Sequence, residues 1–417
     1  MRLVGLLMLF ILCFMSVYSS ADAKIYIDIT SPAAKKLPIA IYDLPGSSGR
    51  EISEIIREDL TFTGLFMCID KASYVEEQTQ PFSQKNWTPL GIEAVVKGKA
   101  EEGNEITIDI AVYDVFEGKE ILNKQYKSEK AMLRQLAHSV SNDIYKAFTG
   151  LDGIFRTRIA FVADEDGEKG ILLMDWDGAR TRRLGLKGTL VLSPHWSSDG
   201  TRLAYSSERG RQWGIYLLDF GKMTEKRIFG SKGTNMAGDL FPKGDAITFS
   251  SSRDGSPDIY TLSLKDDTLR KLTSTQGIEV SPAVSSDGSL IAFVSDRGGS
   301  PQIYVMRADG SDIRRVTFEG SYNTSPNWAP SGDRIVFSCR RGKNQICIVK
   351  PDGSGLQQLT EAGNNEDPSF SPDGRYVAFS SDRDGMKGVY IMRASGEAQK
   401  KISPRGLRSY GPRWSPN

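Results

Sequence analysis

One pattern, repeated six times between Arg158 and Gln399, constrains the fold of this chain more than any other feature. Each copy carries an apolar strand, a Gly-rich turn, a second apolar strand, a further turn and a short basic strand. Equivalent residues recur at intervals of 44, 44, 44, 44 and 42 residues: Ile159, Leu203, Ile247, Ile291, Ile335 and Val377. A period this regular is typical of a repeat architecture.

Each repeat predicts one small antiparallel sheet. Before its three strands lies a tract with an anchor residue and a turn, as in SPHWSSDG (193–200) and DPSFSPDG (367–374). Asp-Gly and Ser-Gly pairs supply the positive φ angles that tight hairpins need. With the tract, each repeat has four short strands, and so small a sheet cannot bury its faces alone. Six of them arranged radially predict a six-bladed β-propeller.

The two ends of the repeat array predict a closed ring. The first copy lacks the anchor tract, whereas the last residues, GPRWSPN (411–417), are an anchor tract with nothing after it. Together they complete one blade. We therefore expect residues 411–416 to form the innermost strand beside Arg158–Ala163, which would close the ring and remove an exposed sheet edge.

Residues 1–23 are predicted to be a secretory signal peptide. They carry Arg2, an uncharged apolar run over 3–18, and the small-x-small sequence Ala21-Asp22-Ala23, which predicts cleavage between Ala23 and Lys24. No later segment approaches the roughly 18 uncharged apolar residues that a membrane-spanning helix requires. We expect a soluble mature protein with an α/β domain at 24–150 and the propeller at 151–417.

The predicted α/β domain alternates between strand and helix patterns. The first helix is expected to open with a capping box at Ser48–Glu51 and to stop at Gly64; the second has an apolar face from Leu133 to Phe148 and stops at Gly150. The predicted strands are Ile25–Ile29, Ile39–Tyr42, Leu65–Ile69, Ala94–Gly98, Ile106–Val115 and Ile121–Tyr126.

Charge and cysteine content narrow the function mainly by exclusion. The formal net charge is +1 with no basic block, which argues against nucleic acid as a partner. Cys339 and Cys347 fall on adjacent strands of one hairpin. A cross-strand disulfide is one alternative, but we interpret them as two buried thiols because register and Cβ geometry would both have to fit. Cys68, on a core strand, is expected to be inert.

Candidate catalytic groups are scarce, and no catalytic residue, metal site or cofactor is predicted. His138 lies off the apolar face of the second helix and is interpreted as a solvated residue. His195 occupies a position of the anchor tract that faces the predicted central tunnel. The acidic runs 164–167 and 175–178 fit hairpin turns better than a calcium loop. The predicted tunnel-lining residues are His195, Asp239, Asn327, Ser369 and Arg413.

Two other classes of function stay open beside a protein-binding scaffold. An enzyme acting in the tunnel would need convergent titratable groups, for which His195, Asp239 and Arg413 are the candidates. A glycan-binding module would need exposed aromatic residues. Trp196, Trp328 and Trp414 instead occupy the repeated anchor position, which favours core packing.

The whole chain resembles the TolB family, periplasmic propeller proteins of the bacterial Tol-Pal system. The resemblance is carried by the signal peptide, LGIEAVVKG (90–98), the junction GLDGIFRTRIAFV (150–162), the SPxWSPDG-like tracts and the terminal GPRWSPN. The SPDG-type tracts occur in many propellers, whereas the domain order with the FRTRIAFV junction is more specific. One tract departs from the pattern: Gly238 replaces Pro and Lys243 replaces Asp.

This resemblance implies a role in outer-membrane integrity and in outer-membrane constriction during cell division. It implies that the propeller binds the peptidoglycan-associated lipoprotein Pal over one tunnel mouth, that the N-terminal segment contacts TolA, that membranes are contacted only through partners, and that the protein is a monomer. The expected TolA contacts are Lys24, Ile25, Tyr26, Ile27, Asp28 and Ile29. The connections between blades supply the expected Pal contacts: Asn235, Met236, Ala237, Glu279, Val280, Asn323, Thr324, Asn365, Glu366 and Tyr410.

Overall fold

The computed structural model describes residues 35–165 and 167–417, and these form two compact units. Of the described residues, the first unit comprises 35–127 and 144–151, and the second comprises 128–143, 152–165 and 167–417. The predicted signal peptide, its cleavage site, the strand at Ile25–Ile29 and the TolA segment all lie outside the described residues. Within the described part of the chain, no helix is both long and apolar enough to cross a membrane.

A five-stranded mixed sheet with the order β2-β1-β3-β4-β5 forms the first unit's framework. β1 pairs in parallel with β2 and β3, and β3 pairs antiparallel with β4. Five strand predictions for this domain are confirmed with shifted ends. The strands are β1 (Leu37–Ile41), β2 (Phe66–Cys68), β3 (Ala94–Glu102), β4 (Glu105–Asp114) and β5 (Lys119–Glu129).

Three helices accompany this sheet along the chain: α1 (Gly46–Thr63), α2 (Gln84–Trp87) and α3 (Leu133–Thr149). The capping box predicted at Ser48–Glu51 is wrong, because α1 begins two residues earlier and its N-cap, Pro45, makes no side-chain cap. The amide of Ser48 instead donates to the Oε1 atom of Glu102 (2.9 Å). Gly64, in the left-handed region at φ 72°, ends α1 as predicted.

The irregular segment between β2 and β3 is held by a buried ion pair. The Nζ atom of Lys97 lies 2.7 Å from the Oε2 atom of Glu76, and both side chains are almost fully buried. Lys97 also donates to the carbonyls of Glu77 and Gln80, and Glu76 accepts from the Ser83 amide. A buried charge pair is tolerated when its remaining polar atoms are hydrogen-bonded in this way.

The propeller consists of six blades of four strands each, as the repeats predict. Blades 3–6 are separate sheets, whereas a single parallel bridge between Lys169 and Leu190 joins blades 1 and 2 into one eight-stranded sheet. From the innermost strand outward, the strands are as follows: blade 1, Arg408–Trp414, Arg158–Glu165, Glu168–Asp175, Arg182–Arg183; blade 2, Leu190–Trp196, Arg202–Arg209, Gln212–Asp219, Thr224–Gly230; blade 3, Asn235–Leu240, Ala246–Ser251, Asp258–Ser263, Leu269–Lys271; blade 4, Glu279–Val284, Leu290–Ser295, Gln302–Arg307, Arg314–Arg315; blade 5, Asn323–Trp328, Ile335–Arg341, Lys343–Val349, Gln357–Gln358; blade 6, Asn365–Phe370, Tyr376–Ser381, Gly388–Arg393, Lys400–Lys401.

Blade 1 closes the ring with a strand from the far end of the chain. Arg408–Trp414 pairs antiparallel with Arg158–Glu165, with Trp414 opposite Ile159. The Trp414 ring is buried, and its Nε1 atom donates to the Oγ1 atom of Thr157 (2.8 Å). The split-blade prediction is confirmed, and the strand begins three residues before the predicted 411.

Blade 5 contains a disulfide bond between Cys339 and Cys347, so the interpretation of these residues as thiols is wrong. In the register of the hairpin, Cys339 lies opposite Gln345 and Cys347 lies opposite Phe337, which makes the two cysteines diagonal neighbours on one face. Their Cα atoms are 5.9 Å apart, within the range that a disulfide requires. Both cysteines are buried in the blade core.

Candidate functional site: the propeller tunnel and its mouths

One residue from each inner strand faces the centre of the propeller, and these six residues are called the tunnel ring. They follow the proline of the anchor tract or its counterpart: Arg413, His195, Asp239, Ala283, Asn327 and Ser369, in blade order. Five of them are the residues predicted to line the tunnel. The structure brings all six to the walls of two cavities.

The two cavities lie on opposite sides of the tunnel ring. The first cavity, of about 310 Å³, is lined by residues that precede the ring on the inner strands. The second, of about 320 Å³, is lined by residues that follow it. Because the inner strands of a propeller run in the same direction, the cavities open at opposite mouths. His195, Asp239, Asn327 and Arg413 line both.

His195 and Asp239 form a hydrogen-bonded pair in the ring. The Nδ1 atom of His195 donates to the Oδ1 atom of Asp239 (2.6 Å), and the amide of Val284 donates to Oδ2 (3.0 Å). Burial lowers the pKa of His195, so the imidazole of this residue is neutral near pH 7. Burial opposes ionisation of Asp239, but the interaction with His195, the positive charge of Arg413 and the Val284 amide together outweigh it and hold the pKa of that carboxyl below its usual value.

Side chains of the tunnel ring also connect neighbouring blades. The Asn327 Oδ1 atom accepts from the Phe370 amide (2.8 Å), and the Ser369 Oγ atom accepts from the Trp414 amide (3.0 Å). Asp239 makes the same kind of bond to blade 4 through Val284. The acceptor oxygens of these side chains therefore hold the ring together.

Each inner strand bends just before the tunnel ring. The β ladder between the inner and second strands shifts register just before the tunnel-ring residue in five blades, and between Ala237 and Leu240, on either side of Asp239, in blade 3. In four blades a residue other than glycine takes a left-handed φ of 52–54° directly before proline: Ser193, Ser281, Ser325 and Asp367. Left-handed backbone outside glycine is strained and concentrates at binding sites. All four residues line the first cavity.

Four of the predicted Pal contacts are buried, so their side chains are not offered to a partner. They stand three residues before the proline or its counterpart and are called the latch positions: Asn235, Glu279, Asn323 and Asn365, with exposures of 0–1%. Asn323 donates to the carbonyl of Glu319 (2.9 Å), and Asn235 donates to that of Ser231 (3.0 Å). Each latch residue thus ties the preceding connection to its inner strand. Because a polar residue recurs at this point in blades 3 to 6, asparagine in three of them, the repeat itself was the signal of a structural role.

The residues one step later, two before the proline or its counterpart, are called the mouth positions: Leu192, Met236, Val280, Thr324, Glu366 and Tyr410. All are partly exposed. Leu192, Met236, Val280 and Tyr410 line the first cavity. Thr324 and Glu366 do not, and Glu366 accepts from the Nδ2 atom of Asn344 (2.5 Å). The sequence prediction missed Leu192, whose place two residues before Pro194 would have identified it.

Ala237, another predicted contact, has a double role. It lines the first cavity, yet its side chain is only 5% exposed and packs with Leu240 and Phe249. Its amide donates to the Oγ atom of Ser206 in blade 2 (2.7 Å). A large residue here would disturb both packing and backbone, so Ala237→Arg is not a clean probe of binding.

The second cavity is rimmed by repeated turns. In blade 4 the Oδ1 atom of Asp287 accepts from the Ser285 hydroxyl (2.6 Å) and from the Ser289 amide (3.0 Å). These hydrogen bonds lower the pKa of Asp287 to about 2. Asp199 and Asp373 accept from Ser197 and Ser371 in the same way. The rim of this mouth is therefore built from turn chemistry shared between blades.

The interpretation of His138 as a solvated residue is wrong. Its side chain is 2% exposed and its Nε2 atom lies 3.5 Å from the Oδ2 atom of Asp177. His138, Asp175 and Asp177 together could approach a metal ion. Arginines already engage both carboxylates, since the Nε atom of Arg134 donates to Asp177 (3.1 Å) and Arg180 makes two bonds to Asp175. The geometry favours charge neutralisation by arginine.

Burial raises the pKa of the Cys68 thiol, which opposes formation of the reactive thiolate. This thiol donates to the Arg57 carbonyl (3.7 Å).

The turn predicted over the acidic run 164–167 joins the strands Arg158–Glu165 and Glu168–Asp175, with Gly167 at a φ of 87°.

These features define a class of protein: a six-bladed propeller preceded by an α/β domain, with a polar tunnel and one mouth lined by side chains that differ between blades. The family model described as the TolB amino-terminal domain matches residues 25–121, and that described as the TolB beta propeller domain matches residues 145–417. The chain belongs to the TolB family.

One known relative and one solved structure are similar over nearly the whole chain. The Tol-Pal system protein TolB of Geobacter sulfurreducens is 54% identical over 404 residues, covering 94% of this chain and 93% of that protein. The TolB of Bordetella avium is 30% identical over 205 residues, covering 48% of this chain and 46% of that protein. The crystal structure of TolB from Acinetobacter baumannii superimposes with a TM-score of 0.83 at 28% identity, covering 95% of this chain and 98% of that one. This chain is therefore a component of the Tol-Pal system and not an enzyme.

Proposed function

We propose that this protein acts in the periplasm and supports outer-membrane integrity and outer-membrane constriction during division by binding two partners. The propeller binds Pal over the mouth of the first cavity, and residues 24–29 bind TolA. Family membership supports the assignment to this system. The observation that carries the choice of surface is the set of partly exposed, non-repeated side chains at the mouth positions.

The chemistry of this mouth suits a reversible protein contact. Met236, Val280 and Tyr410 offer apolar and aromatic surface around an open cavity, while Thr324 and Glu366 add polar groups beside it. Protein interfaces combine such an apolar or aromatic centre with a polar rim. The second mouth instead presents serine and aspartate side chains that are already bonded within their own turns.

Met236→Arg tests the proposed Pal surface. A charged side chain in the centre of a close-packed contact should weaken Pal binding by about 2 kcal/mol or more, as at a binding hot spot. Titration calorimetry of purified Pal against the variant measures this. Ser286→Arg is the matched control, because it places the same charge on an exposed residue of the second mouth. Equal loss in both variants, or loss in the control alone, contradicts the assignment.

The TolA assignment is tested separately by deleting residues 24–34. We expect TolA binding to be lost while the melting temperature of the remainder stays unchanged. Retained TolA binding contradicts the assignment of residues 24–29, and leaves the Pal assignment unaffected.

An alternative function, glycan binding, finds less support. The Trp328 ring is 6% exposed, and its Nε1 atom donates to the Ala283 carbonyl (3.1 Å). Trp414 is buried equally, and Trp196 stacks on Phe220 with ring centroids 5.4 Å apart. Although all three residues line the second cavity, two of them are buried and the third is stacked on Phe220, so they offer little ring surface for a sugar.

A further inference from the structure

Arg413 is a cation of the tunnel ring whose hydrogen-bonding capacity is largely unused. Its Nη1 atom donates to the carbonyl of the adjacent Pro412 (3.1 Å), and its Nε atom is buried without a hydrogen-bond partner. Over residues 35–165 and 167–417, no carboxylate forms an ion pair with this guanidinium. The nearby Asp239 is engaged by His195 and by the Val284 amide.

Two further side chains of the tunnel ring present donors next to Arg413. Asn327 and Ser369 occupy the equivalent position in blades 5 and 6, which with blade 1 are consecutive around the ring. Their oxygens already accept from the amides of Phe370 and Trp414. What they can still offer a ligand is the NH₂ group of Asn327 and the hydroxyl proton of Ser369. These three residues, Arg413, Ser369 and Asn327, are called the donor arc.

The opposite half of the ring offers no comparable donors. His195 and Asp239 satisfy each other, and Ala283 is apolar. Because His195 donates from Nδ1 and is neutral, its Nε2 atom is an acceptor. The ring therefore has one side with a cation and unused donors, and an opposite side that carries the negative charge of Asp239.

We propose that the donor arc binds a carboxylate within the tunnel. A partly buried guanidinium with an unpaired N–H is costly unless an anion and hydrogen bonds compensate it. A carboxylate matches the planar fork of arginine with two parallel hydrogen bonds. The carboxylate of Asp239 in the same ring disfavours an anion of higher charge, such as phosphate. The first cavity, of about 310 Å³, is lined by Arg413 and Asn327 and accommodates an acidic side chain or a small carboxylic acid, while Ser369 lines the second cavity on the other side of the ring.

The carboxylate has two possible sources. It is either a free small acid or an acidic side chain that Pal inserts through the first mouth, and this second source rests on the proposed function. Both sources use the same chemistry at Arg413, and the experiment separates them.

The first arm of the test is an NMR titration of the full mature protein with acetate, using acetamide as a neutral probe of the same shape at equal ionic strength. The Nε–H signal of Arg413 is assigned by its absence in Arg413→Gln. We expect acetate, but not acetamide, to shift this signal to saturation. Arg413→Gln, followed on neighbouring amides, should weaken acetate binding by about tenfold or more.

Two further variants support the acetate titration, one as a second test of the site and one as a control. Asn327→Asp keeps an oxygen for the Phe370 amide but replaces the donor NH₂ with a carboxylate oxygen, so it should weaken acetate binding even if Arg413→Gln folds poorly. Arg393→Gln is the matched control, because the Nε atom of Arg393 is also buried without a partner but lies outside the residues that line either cavity. It should bind acetate as the wild type does.

The second arm measures Pal affinity of Arg413→Gln by calorimetry. A parallel loss of about tenfold identifies Pal as the source of the carboxylate, whereas unchanged Pal affinity with weakened acetate binding identifies a free acid. If acetate shifts the signal no more than acetamide does, or if folded Arg413→Gln and Asn327→Asp bind acetate as tightly as the wild type, the site does not exist. If wild-type protein does not bind Pal, the proposed function fails, and the acetate arm alone decides this inference.

Discussion

Two neighbouring residues on the inner strands of blades 3 to 6 have opposite roles. At the latch positions the side chains are polar, three of the four being asparagine, and they are buried and hydrogen-bonded. At the mouth positions, one residue later, the side chains differ in size and charge and are partly exposed. The comparison shows that what repeats around the ring holds the blades together, whereas what differs between blades is available to a partner.

The prediction with the largest expected effect concerns the strand that completes blade 1, and it tests whether the stability of the propeller depends on all six blades being complete. Deleting residues 411–417 removes Trp414, whose amide and ring hydrogen-bond to Ser369 and Thr157, and exposes the edge of Arg158–Glu165. We expect aggregation, or a melting temperature lowered by more than about 10 °C. A truncated protein that melts like the full chain would show that the split blade contributes nothing to closure.

The disulfide of blade 5 is an exception to this comparison. It stabilises the fold, yet no other blade has one over the described residues. Replacing Cys339 and Cys347 together by alanine removes a cross-link that closes a short loop, along with buried sulfur contacts. The free energy of unfolding should fall by about 2–3 kcal/mol. Urea unfolding with and without a reductant measures this, and the reductant should have no effect on the double variant.

Separate substitutions at the latch and mouth positions of blade 5 test the two roles directly. Asn323→Ala removes hydrogen bonds to the Gln302 Oε1 atom and the Glu319 carbonyl, so it should cost about 2 kcal/mol of stability. Thr324→Arg, one residue along, should leave stability within about 0.5 kcal/mol and weaken Pal binding by about tenfold. Urea unfolding and calorimetry on both variants separate the effects. If folded Asn323→Ala loses Pal affinity and Thr324→Arg does not, the two roles are reversed.

The smallest effect concerns the turns of the second mouth. The folded pKa of Asp287, about 2, lies below its unfolded value of about 3.9. The ionised carboxylate therefore stabilises the fold above pH ~4, and this contribution is lost as the pH falls through about 2. Asp287→Asn should cost less than about 1 kcal/mol at pH 7 because the side chain is exposed. Melting curves of both proteins should approach each other as the pH falls below 4 and converge only below about pH 2, and Pal affinity should not change.

The sequence predicted the blades and the closing strand because a 44-residue period and an incomplete first copy are properties of the chain itself. It did not predict the inward direction of Asn235, Glu279, Asn323 and Asn365. A strand alternates its faces with a period of two, but the register shift before the tunnel ring interrupts that count. Residues on either side of the shift therefore cannot be assigned to a face by alternation.

Other errors came from contacts that a local pattern does not contain. His138 is buried because Trp176 and Asp177, about 40 residues later, cover it, with the His138 and Trp176 ring centroids 6.2 Å apart. In the first turn of α1, the backbone amide of Ser48 donates its hydrogen bond to Glu102 on β3 instead of to a local capping side chain. The disulfide depended on a diagonal register that the hairpin sequence does not reveal.

The pairing of Arg408–Trp414 with Arg158–Glu165 also has a consequence for folding kinetics. Two strands roughly 250 residues apart must find each other, and contacts between such distant segments form slowly because loop-closure entropy opposes them. Blades 2–6 each consist of strands that are consecutive in sequence, so they can assemble as the chain emerges. Blade 1 has to wait for the final residues. Until then its exposed strand edge is the part of the molecule most open to aggregation, which makes ring closure the step where a chaperone would act.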